Sequence, residues 1–310
     1  TQSDNGTCTF GDIIDRNSVS AIDLNSKIKD TAVSYWATTS TQDGSNVTQG
    51  GAGSHILDVN SPRYVYTYTG SYSGLTASTP ATPFLVSTAS SNTLRSAAVA
   101  DPTILGLPSS ATSAEVDNVI NWMRSQDVYD DWTTLTQYSY DKTGDSTSTD
   151  TRWAFGDSLH SRPAAITFGF ELTLLGAPDP DKPIIKLFVG TNDGALRMIN
   201  SSTGAEEWVF IPNEMLSQQY ALSQGADGNH VIGLDGVPSF WTQDINNDGI
   251  IDPSVGDKMY MFIGMRRGGR NIYAFDITPA TTKMTSQNDT VTPKLMWVIQ
   301  GGSGSYAKLG

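Results

Sequence analysis

The sequence predicts a mainly β fold: an irregular first half with one short helix, then an incomplete β-propeller. Three observations lead there, namely a composition suited to turns, a pair of similar units set about 75 residues apart, and short apolar strands ending in one that bears a tryptophan. Few charges, 29 glycines and abundant Ser, Thr, Asn and Asp favour short strands and many turns over helices. At 310 residues the chain is long enough for one large β domain or two ordinary ones.

Residues 1 to about 60 read as short strands in long loops, around Ile22-Asp23-Leu24 and Ala32-Val33-Ser34-Tyr35-Trp36. Tyr64-Val65-Tyr66-Thr67-Tyr68-Thr69-Gly70 is aromatic and β-branched, a strand closed by a glycine turn, and Pro-, Ser- and Thr-rich sequence follows to about Thr93. The spacing of Val116, Val119, Ile120 and Met123 predicts a helix over about 113–125, opened by a Thr112/Glu115 capping box. The acidic stretch Asp141 to Asp150 reads as a linker between the irregular region, 1–150, and the propeller part, 151–310.

The repeat is the decisive signal. Ser161-Arg162-Pro163-Ala164-Ala165-Ile166 leads to Leu187-Phe188-Val189-Gly190, then Leu196-Arg197-Met198-Ile199-Asn200, then Trp208. Gly236-Val237-Pro238-Ser239-Phe240-Trp241 leads to Met261-Phe262-Ile263-Gly264, then Ile272-Tyr273-Ala274-Phe275-Asp276, then Trp297. Pro163 and Pro238 lie 75 residues apart, Gly190 and Gly264 lie 74 apart, and Asn200 and Asp276 lie 76 apart. Ordinary blades run about 40–50 residues, so these two are enlarged by insertions. A propeller takes about four blades to close, so further blades are expected beyond Gly310. Within the first unit, Asn192-Asp193-Gly194 and Thr203-Gly204 supply turns, and Trp208 closes the sheet against its neighbour.

Charge and segment patterning exclude several classes of function. The net charge is −13, and no cluster among the 19 basic residues is dense enough to follow a phosphate backbone, so nucleic acid is not an expected partner. The acidic excess favours cations where carboxylates converge. No run of about eighteen apolar residues occurs, so no membrane-spanning helix is expected. Cys8 is the sole cysteine, either a free thiol or paired outside this chain. His160 has no triad or metal-cluster spacing around it and reads as a structural hydrogen-bonding residue. Arg266, Arg267 and Arg270 either pin a loop, the favoured reading, or form an anion-binding patch.

The sharpest chemical motif is Asp244-Ile245-Asn246-Asn247-Asp248-Gly249-Ile250-Ile251-Asp252. Side-chain oxygens at Asp244, Asn246, Asp248 and Asp252, the Ile250 carbonyl, and a glycine at the sixth position match the first nine positions of a calcium loop. Ca²⁺ is a hard ion that takes about six to eight oxygens, and the glycine permits the turn that gathers them. The twelfth position is Val255 instead of glutamate, and no helices are expected to flank the loop, so an EF-hand is not predicted. The loop is similar to the nine-residue calcium hairpins of integrin-like propellers and thrombospondin-type repeats. A polar Asn/Asp/Gly hairpin without metal is the alternative.

The first unit resembles the tryptophan-docking repeat of quinoprotein-like propellers. More specifically, Gly156-Asp157-Ser158-Leu159-His160-Ser161-Arg162-Pro163, the turn at Asn192-Asp193-Gly194, and Arg267-Gly268-Gly269-Arg270 before Ala274-Phe275-Asp276-Ile277-Thr278 occur in that order. These segments resemble the C-terminal propeller of PilY/PilC-type type IV pilus tip adhesins and biogenesis factors, over roughly Gly156 to Gly310. The resemblance implies a non-enzymatic, exported protein at the cell surface or pilus tip. Minor pilins and a host or surface ligand would be its partners, and it would use calcium. In that family calcium is associated with control of pilus extension and retraction. The family's best-known calcium loop lies in a later blade, so a structural role is open here. The alternatives are a quinoprotein dehydrogenase, disfavoured by the single cysteine and two blades, and a surface matrix or carbohydrate-binding propeller.

Overall fold

Burial alternates residue by residue along Lys258–Gly264, where Met259, Met261 and Ile263 point inward and their neighbours outward. That period of two marks a strand with one face against a core. The structure, a computed structural model, describes residues 13–37, 42–46, 50–57, 63–128, 152–225 and 230–302. Two strands come from the first half, β1 (Val65–Thr67) and β2 (Phe84–Leu85). The second half supplies β3 (Ala164–Leu172), β4 (Pro178–Gly190), β5 (Leu196–Asn200) and β6 (Glu206–Phe210), then β7 (Ser239–Gln243), β8 (Lys258–Gly264), β9 (Ile272–Asp276) and β10 (Lys294–Ile299).

Strands β3 to β6 form an antiparallel meander, extended to order β2-β1-β6-β5-β4-β3 by β1 running parallel to β6. Strands β7 to β10 form a second antiparallel meander, in order β10-β9-β8-β7. The sequence landmarks fall at equivalent places: Pro163 and Pro238 precede the first strands, Gly190 and Gly264 end the second, and Asn200 and Asp276 end the third. Trp208 and Trp297 sit in the fourth strands. The protein is therefore mainly β with two sheets. Among the described residues both sheets are open, and no closed barrel or propeller is present.

The sheets meet through Phe188 against Phe240 (centroids 5.4 Å apart) and Phe210 against Phe275 (4.9 Å). Trp208 is buried and its indole N–H donates to Val291 O at 2.8 Å, in the connection between β9 and β10. One cluster of buried side chains draws on both halves of the chain, from Val65, Leu94 and Ile120 to Phe188, Trp208 and Phe275.

Helix α3 (Ser113–Met123) stops two residues short of the expected end and carries the full capping box; Val116, Val119, Ile120 and Met123 are all buried. Further helices among the described residues were not anticipated, including α1 (Gly51–Leu57), α2 (Thr93–Ala100) and two single turns at Asn213–Leu216 and Gln219–Ser223. Helix α2 is capped by Asn92 and tied to α3 by a bidentate Arg95–Asp117 pair at 2.6 and 2.9 Å. The strand expected near 22–24 reduces to an isolated bridge of Ile22 with Ile28, beside another of Ile14 with Ser20, and residues 32–36 form neither strand nor bridge. Aspartates compete with the ladder there: Asp15 Oδ1 accepts from Asn17 N and Val19 N, and Asp23 Oδ1 accepts from Asn25 N and Lys27 N. The expected linker, Asp141 to Asp150, and Cys8 lie outside the described residues.

Candidate functional site

The three motif segments converge where the turns of both sheets meet. Ser161 Oγ accepts from Gly190 N (2.9 Å), Asn192 Nδ2 donates to Asp157 Oδ2 (2.7 Å), and the chain at 230–236 passes between the β4–β5 and β8–β9 turns. Glycine is required along that path. A Cβ on Gly233 would lie 2.5 Å from Gly194 N, and one on Gly268 would lie 1.8 Å from Gly233 O. Asp235, 1% exposed, anchors the crossing: its Oδ1 pairs with His160 Nδ1 at 2.8 Å, and its Oδ2 lies 3.7 Å from Arg266 Nη1. Arg267 Nη1 lies 3.4 Å from His160 Nε2. The structure thus gives His160 a structural hydrogen bond and makes Arg266 and Arg267 part of a pin. Arg270 lies elsewhere, against Gly302.

Beneath these turns lies a buried charge network that the sequence reading missed. Arg197, fully buried on β5, donates to Asp193 and Glu206, to Thr191 Oγ1 (3.0 Å) and to Ala154 O (3.0 Å), with Phe155 under its guanidinium. Arg63 adds a second cation, 3.1 Å from Glu206. Burial pushes the Asp193 carboxyl up, but Arg197, Arg63, the Thr191 hydroxyl and Arg152 outweigh it and hold it below its ordinary value. The signal in the sequence was Arg197 amid Leu196, Met198 and Ile199, a charge on an otherwise apolar strand. Alongside is a cavity of 530 Å³, lined among others by Trp122, Arg152, Phe155, Asp157 and His230. Arg152 stacks on Trp122 at 3.8 Å, and burial, then repulsion from Arg63, holds its guanidinium below the usual value.

The oxygen-rich loop lies between β7 and β8. Asn247 and Gly249 take positive φ, 55° and 76°, which makes the tight turn. The Asp244 carboxylate accepts from Asp248 N (3.3 Å) and Gly249 N (2.8 Å), and Asn246 Nδ2 donates to Asp248 Oδ2 at 3.0 Å. Asp244, Asn246 and Asp248 are thereby gathered on one turn, with oxygen donors of the kind Ca²⁺ takes. Asp252 is engaged by Ser254: its Oδ1 accepts from Ser254 N (2.9 Å) and Ser254 Oγ (2.6 Å), and this lowers its pKa. Ile250 is buried, and the next residue, Ile251, donates its N–H to Phe168 O of β3 at 2.9 Å. Among the described residues no group of three His, Cys, Asp or Glu stands at metal-holding spacing. Buried Asp257, which sequence reasoning overlooked, closes the loop by accepting from Ile245 N (2.9 Å) and Asp252 N (3.0 Å).

Fold and turns together define a mainly β protein built from two repeated antiparallel meanders locked at one end. Among the described residues no helix is long and apolar enough to cross a membrane. A curated protein similar to this chain is the type IV pilus biogenesis factor PilY1 of Pseudomonas aeruginosa (strain UCBPP-PA14), 30% identical over 154 residues. The match covers 44% of this chain and 12% of PilY1, so the chain spans a small part of that relative's length. No family model and no solved structure matches.

Proposed function

We propose that this chain is part of a non-enzymatic, exported type IV pilus factor that acts at the pilus tip in adhesion and pilus assembly. The observation that supports this most is the convergence of three motif segments, around Asp157–Pro163, Asn192–Gly194 and Arg266–Gly268, on one locked end of two similar meanders. The partial similarity to PilY1 points the same way. In this reading the meanders are the first two large blades of a β-propeller, and minor pilins are the partners. Deleting the gene is expected to reduce surface pili, and the intact full-length gene to restore them. Unchanged piliation and adhesion in the deletion strain would overturn the proposal. Turnover of an alcohol or sugar after reconstitution with a quinone and an artificial electron acceptor would overturn its non-enzymatic part.

The proposal includes Ca²⁺ at the β7–β8 loop. Asp244, Asn246, Asp248, the Ile250 carbonyl and Asp252 would hold it, with Asp252 turning from Ser254 to join the others. The ion would supply charge neutralisation and a fixed loop shape. Because Ile251 is bonded to β3, the loop's conformation bears on how the two sheets are held together.

A further inference from the structure

Lys186 on β4 is fully buried, and polar side chains from the two next strands face it. Asn200 on β5 is its direct cross-strand partner, so the two side chains rise from the same face of the sheet. Glu207 on β6 reaches the same point through a bulge: Met198 pairs with Trp208 and Ile199 with Glu206, leaving Glu207 as the extra residue. The Lys186 ammonium donates to Glu207 Oε1 and to Gln287 O (2.7 Å). The Asn200 amide nitrogen donates to that same Gln287 oxygen at 2.6 Å. Amine and amide therefore share one acceptor inside the protein.

The Asn200 carbonyl is also polarised. Its Oδ1 accepts from Ser202 N (3.0 Å), Ser202 Oγ (2.8 Å) and Thr203 N (3.3 Å), donors placed to stabilise negative charge on that oxygen. Glu207 Oε2 is buried with no hydrogen-bond partner, next to the amine. A nucleophile, a polarised carbonyl and a proton acceptor are thus brought together by three adjoining strands.

We propose that Lys186 and Asn200 condense into an intramolecular isopeptide bond, with Glu207 as the proton-transfer group. Glu207 takes a proton from the ammonium, and the neutral Nζ attacks Asn200 Cγ. The Nζ–Cγ bond forms while the Ser202 and Thr203 donors hold the oxyanion. The Cγ–Nδ2 bond then breaks. Nζ gives up two protons in all: one reaches Nδ2, which leaves as ammonia, and the other stays on the Glu207 carboxyl until solvent removes it. A primary amide and an amine become a secondary amide with no change in oxidation state. The product ties β4 to β5 beside the segment from the second sheet that carries Gln287.

Intact-mass measurement of the denatured full chain tests this directly. The expected mass is lower than the sequence mass by one ammonia, with peptide mapping that places the loss on a linked pair containing Lys186 and Asn200. An unchanged mass, as from a plain buried ion pair, overturns the proposal, and so does an ammonia loss that maps elsewhere. Glu207→Gln and Lys186→Met are expected to restore the full mass in folded protein. A linked pair persisting in folded Glu207→Gln would overturn the role of Glu207. Should either variant fail to fold, the mass and map of the unaltered chain decide the matter alone.

Discussion

Arg197 shows how a single side chain organises the motif-bearing end. It is fully buried and holds Asp193 and Glu206 at once, so its removal leaves two carboxylates without their direct ion-pair partner, with Arg63 and Arg152 the remaining cations around Asp193. Arg197→Met is expected to lower unfolding free energy by about 3–5 kcal/mol, the usual cost of orphaning a buried charge. Denaturant melts of the variant check this, and a change within about 0.5 kcal/mol, typical of a surface site, would contradict it. The lowered Asp193 pKa has a pH consequence. A carboxyl depressed in the folded state adds stability above its unfolded pKa, about 3.9. That stability is lost as pH falls from there through the folded value. Acid melts of the unaltered protein should steepen below about pH 4, and Asp193→Asn should flatten that loss. Little of this network was legible beforehand, because Arg63 and Arg152 lie far in sequence from Asp193, Arg197 and Glu206 and only the fold brings them together. The oxygen-rich loop was legible because its residues are contiguous, yet the turning of Asp252 toward Ser254 was not, since that depends on a local hydroxyl.

At the scale of elements, the signals that came through were those with a period or a fixed offset. The capping box of α3 was visible as Thr112 and Glu115, and the structure shows both of its bonds. Thr112→Ala is expected to cost about 1 kcal/mol, measured by thermal or denaturant unfolding. The repeated glycines proved less alike than their 74-residue offset implied. A Cβ on Gly190 would lie 2.1 Å from Leu234 O, whereas at Gly264 the nearest atom is 3.8 Å away. Gly190→Ala should therefore destabilise the chain markedly and Gly264→Ala only slightly, and similar melting temperatures for the two variants would contradict this. Helix α2 escaped notice because its eight residues carry only two buried positions, Leu94 and Ala98. The turn at Asp23 was misread as a strand because Ile22 and Leu24 beside it resemble a short strand, while its carboxylate satisfies the backbone locally.

Across the whole molecule, the two meanders are joined by aromatic contacts, by Trp208 on Val291, by the Asp235 crossing, and by the loop from Asp244 to Asp257 resting on β3 through Ile251. The repeat offset was enough to anticipate the two sheets, since each landmark falls at the same place in its meander. It could not show that the β9–β10 connection would fold back on the first sheet through Gln287 and Val291. If calcium occupies the loop, a ligand at a hundredfold excess over its Kd stabilises the folded chain by about 2.7 kcal/mol. Melting temperature should then rise with millimolar calcium, fall on chelation, and lose this response in Asp248→Ala. The claim that the protein works on type IV pili is tested most directly by crosslinking mass spectrometry on pili sheared from cells that make the tagged full-length protein. Recovery with the pili, and crosslinks to minor pilins, are expected. Recovery only in the pilus-free fraction, without such crosslinks, would contradict it.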